Sequence, residues 1–196
     1  MEHTQVNTIE EVIRQRRTIK PDKMNGGIIA DEEVQEILEL ADWAPTHART
    51  EPWRFVVYNQ DQVFPFCQIH AGLYKDTTAE ASFLQAKYDN LLHMGDKVSH
   101  IVIAYMVRVP THKIPEIEEV TAAACAIQNV LLGATSKGIS TFWSTGGLAH
   151  HPALREYLKM GEEDRVMGIL YLGYTDEPLR PGSRMIPLSE KIQWVK

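Results

Sequence analysis

The sequence predicts one domain in which helices and strands are interleaved, and three observations carry that reading. The chain has 196 residues, enough to bury a sizeable core without a second domain. Hydrophobic residues make up 44% and charged residues 23%, the balance of an ordinary globular protein. Segments with apolar residues at helical spacing alternate with short, nearly continuous apolar runs that read as buried strands.

Thr8-Ile9-Glu10-Glu11 forms a capping box, which opens a helix with Ile9, Val12 and Ile13 on its apolar face. Pro21, Asn25, Gly26 and Gly27 turn the next segment into a loop. Asp31 is placed to cap a second helix, in which Val34, Ile37, Leu38 and Ala41 recur at helical spacing. Ala44-Pro45 ends it, because a residue before proline avoids the helical region. Residues 54–58 (RFVVY) read as a short buried strand. Residues 61–97 are helical in tendency, and Pro65 and Gly72 are expected to break them. A strand at 99–109 (SHIVIAYMVRV) and a loop at 111–115 follow. Pro115 suits the first turn of a long helix running to about Lys137. Its Ala122, Ala123, Ala124 and Ala126 allow another backbone to approach closely. A strand at 139–144, a helix at 151–159 and a strand at 165–174 (RVMGILYLGY) complete the set. Residues 175–196 hold three prolines and no compact element, the composition of a tail that wraps around a neighbour. The expectation is a single domain, 1–196, with that tail at its end.

Composition excludes several functions. A formal net charge of -6 argues against nucleic acid, whose binders carry a large basic face. Cys67 and Cys125 form no CxxC, and a chain of this size needs no disulfide, so a reducing cytoplasm is expected. The opening MEHTQVNTIEEV has no apolar core of a signal peptide. The longest uncharged runs, 120–136 and 138–154, are too short and too polar to span a bilayer.

Against this acidic background, IRQRRTIKP at 13–21 packs Arg14, Arg16, Arg17 and Lys20 together. Arg16 follows Ile9, Val12 and Ile13 at helical spacing, which puts a guanidinium in line with the apolar stripe. A charge there needs a partner. With Thr18 and Lys20 it offers a planar fork, a hydroxyl and a point charge, a set suited to phosphate. The alternative is a solvated helix end, where cations offset the macrodipole. Arg14 and Arg17 fit that alternative; Arg16 does not.

No GxGxxG is present, and Ile139 stands where a P-loop would need lysine after Gly133 and Gly138. The eight histidines form no zinc spacing; His150-His151, beside Pro152, reads as a helix start, and no metal site is expected. There is no GxSxG elbow and no convincing carboxylate pair, and both cysteines sit in apolar helical contexts. Ligand-holding groups without a self-sufficient catalytic set suit a protein whose chemistry belongs to a bound cofactor. Two further segments fit such a role. The loop 44–55 (APTHARTEPWRF) is polar and proline-bounded, either a carrier of binding groups or a surface connection with a packing tryptophan at Trp53. In Trp143-Ser144-Thr145-Gly146-Gly147 the glycines allow a ligand close to the backbone, or form a simple turn.

With these segments in place the chain resembles the nitroreductase family, flavoproteins that bind FMN in a homodimer. RRTIK is similar to the family's RRSxR-type opening motif, and APTHARTEPWRF to its AP-x-x-x-N-x-Q-PW-x-F motif. KGISTFWSTGGL resembles its late G-(I/L)-G-T-x-W stretch, and VMGILYLGYTDEPLRPGSRMIPLSE its closing strand and basic tail. The matches span nearly the whole chain in the right order. The resemblance implies an α+β fold, with a central, mostly antiparallel sheet flanked by helices in an intertwined homodimer. The helix from Pro115 to about Lys137 would lie at the dimer's centre and the tail 175–196 would cross to the partner. It also implies that Arg16, Arg17, Thr18, Lys20 and Arg184 hold the FMN phosphate and ribityl end. Trp43 and His47 would reach the flavin from the second subunit. Trp143, Ser144 and Thr145 would lie along the ring, with an amide near Thr145 or Gly146 donating to N5. The nicotinamide nucleotide would meet Gly133, Ala134, Thr135, Ser136, Lys137 and Gly138.

The implied activity is electron transfer from NADH or NADPH, through FMN, to nitroaromatic, quinone or related acceptors, with no dedicated catalytic side chain. Same-fold alternatives are reductive dehalogenation, dehydrogenation, or FMN carriage without turnover. Four residues depart from the family pattern: Thr18 for serine, Lys20 for arginine, Arg49 for asparagine and Glu51 for glutamine. Glu51 is placed to pair with Arg49 or Arg54. Residues 63–97 match no family motif and are expected to help set acceptor preference.

Overall fold

The capping box at Thr8 closes in both directions: its hydroxyl accepts from the Glu11 amide at 3.3 Å, and the Glu11 carboxylate accepts from the Thr8 amide at 3.2 Å. It opens α1 (Ile9–Gln15). In this computed structural model residues 8–178 and 180–195 are described. Residues 1–7, on which the absence of a signal peptide is judged, lie outside them, as do Leu179 and Lys196 of the tail. After α1 come α2 (Asp31–Glu39), β1 (Trp53–Tyr58), α3 (Gln60–Thr77), α4 (Gln85–Leu92) and β2 (His100–Met106). Then follow α5 (Glu116–Ser136), β3 (Ser140–Ser144), α6 (Pro152–Tyr157) and β4 (Arg165–Gly173).

The strands form one antiparallel sheet in the order β1-β2-β4-β3. β2 and β4 are therefore central, and their side chains alternate between two cores. On one face Val102, Ala104, Met106, Leu170 and Leu172 pack against α2 and α5. On the other Ile101, Ile103, Ile169 and Tyr171 pack against α3 and α6. Each fully buried Ile or Leu stabilises the fold by roughly 1.5–3 kcal/mol. The sheet flanked by helices is the predicted α+β architecture.

Several local expectations change. Pro65 and Gly72 do not break α3, which runs through both. Pro65 costs about 3 kcal/mol in a helix interior. That cost is offset by an unbroken apolar face of Val63, Phe66, Cys67, His70, Ala71 and Tyr74. Asp31 is not the cap of α2: Ala30 is, and the Asp31 carboxylate accepts from His100 Nε2 at 2.9 Å. Within α5, Ala122, Ala123 and Ala126 turn into their own subunit's core, while Ala124 is half-buried. In α1 only Val12 is buried; Ile9 and Ile13 are 64% and 53% exposed.

Beyond α1 the chain runs alongside β3. Thr18 makes an isolated parallel bridge with Thr141, and the Ile19 amide donates to the Thr141 carbonyl at 3.0 Å. β3 is itself fixed by β4. Opposite a register shift at Ala104/Tyr105, Gly168 takes φ +148 and accommodates the Trp143 indole, whose Nε1 donates to the Met167 carbonyl at 2.9 Å. Gly168→Ala adds a Cβ into that indole and into backbone strain. It should cost about 2–4 kcal/mol, read as a lower midpoint in urea unfolding.

Candidate functional site

The RRTIK segment follows the end of α1, where the chain turns extended at Arg16 (φ −51, ψ 121). Helical spacing therefore does not orient Arg16, yet its side chain is half-buried. Its guanidinium has no hydrogen-bond or ion-pair acceptor among the described residues. Burial, together with the charges of Arg17 and Arg184, pushes it below the usual arginine pKa. Arg17 behaves differently. It donates to the carbonyls of Arg14 (2.6 Å), Arg16 (2.8 Å) and Arg180 (3.1 Å), capping α1 and tying it to the tail. Arg14 is exposed beside Glu10, as a solvated helix end predicts. Lys20 is exposed, and its ammonium has no partner among the described residues.

A cavity of about 770 Å³ opens beside this segment, a volume ordinary for a small-molecule site. Arg17, Thr18, Ile19 and Lys20 form one wall; Thr135, Gly138, Ile139 and Ser140 form another; Thr175, Glu177, Pro178 and Arg180 close it. Of the six residues assigned to the nicotinamide nucleotide, Thr135 and Gly138 border this cavity. Gly133 and Ala134 are buried against the core, and the Lys137 ammonium is 2.5 Å from Glu36.

At the far end of β3 lies the WSTGG loop. The indole of Trp143 is committed to the sheet, while Thr145, Gly146 and Gly147 are exposed. Gly147 takes φ +66 directly over the imidazole of His70 on α3. His70 is 2% exposed, and its Nε2 accepts from the Leu148 amide at 3.1 Å. Leu148 itself sits in a small apolar cluster with Ala71, Tyr74 and Leu91 of α3 and α4.

The 44–55 loop is strained: Ala48, Arg49 and Glu51 have φ of 51°, 56° and 42°. Asparagine tolerates this region better than arginine, which gives the Asn of the family motif a backbone reason. Thr46 holds the loop, its hydroxyl 2.8 Å from that of Thr50 and accepting from the Glu51 amide at 3.2 Å. Glu51 makes no ion pair among the described residues; Arg54 instead donates to the Glu51 main-chain carbonyl at 2.7 Å. Trp53 is a packing residue, buried and donating to Asp42 at 2.9 Å. Trp43 is 84% exposed, and His47 Nδ1 lies 2.5 Å from a Glu118 carboxylate oxygen on α5.

Thus Arg17, Thr18 and Lys20 share a wall of the cavity, whereas Arg16 is not among its lining residues and stands near the charges of Arg17 and Arg184. Trp143, Ser144 and Thr145 sit at the other end of β3, and Trp43 and His47 belong to a separate surface beside α5. Cys67 is buried and its thiol is pushed up to about 11 by burial, in keeping with an inert side chain. His151 starts α6 as its cap, accepting from the Ala153 amide at 3.2 Å. Among the described residues no helix is long and apolar enough to cross a membrane. Sequence reasoning missed His70 and the tail residues that pin Arg17. The helical spacing of positions 63, 66, 67, 70, 71 and 74 was the signal available for His70.

The comparisons agree with the fold. A model of the nitroreductase family matches residues 13–174, and the chain belongs to that family of oxidoreductases. Escherichia coli K12 YdjA, provisionally named an NAD(P)H nitroreductase, is 28% identical over 142 residues, 72% of this chain and 75% of its own. A nitroreductase-like family protein of Bacillus cereus superposes with a TM-score of 0.83 at 25% identity, covering 100% of both chains. A protein of Desulfovibrio desulfuricans, provisionally named a nitroreductase and solved with FMN, gives a TM-score of 0.74 at 24% identity, covering 97% of this chain and 98% of that one.

Burial, and secondarily the charge of Lys87, pushes His70 down to about 4. In the unfolded chain histidine titrates near about 6.5, so between about pH 6.5 and 4 the unfolded state gains a proton that the folded state refuses. Stability is whole above that window and should fall by about 3 kcal/mol on crossing it. Urea unfolding at neutral and acid pH measures the loss, and His70→Gln should shrink it.

Proposed function

We propose that the protein is an FMN-dependent oxidoreductase that passes electrons from NADH or NADPH to nitroaromatic, quinone or related acceptors. The observation that carries this reading is the Arg16 guanidinium: half-buried, without an acceptor among the described residues and crowded by two like charges. Such a group calls for an anion with several oxygens, and the terminal phosphate of FMN is one. Membership of the nitroreductase family and the FMN found with the Desulfovibrio desulfuricans structure support the choice.

Bound FMN would supply the hydride chemistry, accepting from a nicotinamide and delivering to the acceptor. The chain's own residues hold and orient. Arg16 and Lys20 neutralise the phosphate, and Thr18 offers a hydroxyl beside it. Arg17 keeps the segment in place by capping α1 and gripping the tail, and Arg184 adds positive potential. Four residue steps along β3, about 13 Å, separate Ser140 beside the cavity from Ser144 at the WSTGG loop. An elongated ligand reaches from one to the other, with exposed backbone near Thr145 and Gly146 at its ring end. In this reading the protons for the acceptor come from solvent.

A homodimer completes the reading. Ile9, Ile13 and Ile117 are exposed on α1 and α5, and the tail displays Met185, Leu188, Trp194 and Val195 to solvent. A second copy would cover these surfaces and bring its Trp43 and His47 toward the flavin.

The pure protein should be a yellow dimer, bleached by NADH or NADPH and recoloured by a nitroaromatic or a quinone. Arg16→Ala should weaken FMN binding roughly 10- to 100-fold in a fluorescence titration, the loss expected for a charge-assisted contact. Unchanged binding would remove the phosphate assignment. Truncation after Glu177 should give a monomer by sedimentation and a protein that loses its colour on desalting.

A further inference from the structure

We propose that His70 is a positioning residue for the 144–148 loop, and through it for the flavin ring. This rests on the proposed function, in which FMN lies along that loop. Loop and ring are brought together only if the loop backbone is held. Within the loop the Gly146 amide donates to Ser144 Oγ at 3.3 Å and the Ala149 amide to the Gly146 carbonyl at 3.3 Å. The hold that ties the loop to the body of the protein comes from behind. The Leu148 amide donates to His70 Nε2, residues 78 apart in sequence, and the Leu148 side chain is buried among Ala71, Tyr74 and Leu91. A Cβ on Gly147 would stand 2.9 Å from His70 Cε1 and 3.0 Å from Nε2, so the turn lies directly on the imidazole.

The ring is in turn clamped. It stacks on Phe66 with centroids 5.6 Å apart, on the apolar face of an 18-residue helix. Accepting through Nε2 requires the neutral imidazole with its proton on Nδ1, the form that burial enforces. No leucine or phenylalanine accepts a hydrogen bond, so an apolar residue of similar size at this position leaves the Leu148 amide without its partner. Part of the 63–97 region thereby acts as the bracket that fixes where the loop amides point. Amides aimed at a flavin edge favour the ring most after it has taken up electrons, because its negative charge is then greatest. A loop released from His70 should therefore change the balance between reduced and oxidised cofactor more than it changes binding of the phosphate end.

The experiment compares wild type, His70→Leu and His70→Gln, each loaded with FMN. Fluorescence titration gives affinity for oxidised FMN, rapid mixing with NADH or NADPH gives the bleaching rate, and dye-coupled titration gives the midpoint potential. For H70L the affinity for oxidised FMN should stay within about threefold, while the bleaching rate and the ratio of reduced to oxidised affinity each fall roughly tenfold. H70Q carries an acceptor at similar reach and should recover most of both. An H70L protein with wild-type rate and potential would overturn the proposal, as would an H70Q protein no better than H70L. Should H70L not fold, His70→Asn replaces it: its acceptor stops short of the Leu148 amide, and it should show the same two losses. A wild type that binds no FMN overturns the proposed function and this inference with it. A wild type that binds FMN beside an unaltered H70L overturns this inference alone.

Discussion

The double burial of the two central strands is the constraint on which the molecule depends. β2 and β4 have protein on both faces, so their alternating side chains must satisfy two cores at once. A slip of one residue would exchange Ile101 and Ile103 with Val102 and Ala104 and empty both layers. With β4 so fixed, β3 follows by pairing, and the RRTIK segment follows β3 through Thr141. The position of the cation cluster is thus inherited from the packing of the two central strands.

Electrostatics then acts on that inherited geometry. Three guanidinium groups near one another repel, and a single protomer offsets this only in part. Arg17 is quieted by three carbonyls, and Arg16 is left without an acceptor among the described residues. The like charges are tolerable because the site is partly solvated, where an effective dielectric near about 20 weakens each pair. A polyanion bound there would reverse the sign of the balance and couple its binding to local order at the end of α1.

Much of this is legible in the residues. The strands and the long helix are readable because apolar runs and helical spacing are local signals, and the element boundaries fall within a few residues. The cation-rich segment beside the cavity is readable because its motif is contiguous. What escapes is non-local or energetic. Pro65 reads as a breaker because its cost is local, whereas the burial that offsets it is spread over α3. Asp31 resembles a cap in sequence, but its partner His100 lies on another element. Helical spacing places Arg16 on a helix face although the helix stops one residue earlier, and the tail carbonyl of Arg180 that holds Arg17 is 163 positions away.

The left-handed residues between His47 and Pro52 carry one more implication. Ala48, Arg49 and Glu51 each hold a backbone shape that costs an L-residue on the order of 1–2 kcal/mol, and two threonine hydroxyls are the main local restraint. A segment under such tension relaxes readily when its surroundings loosen. It is therefore a natural place for early fraying and proteolytic nicking on warming, while the buried strands behind it stay closed.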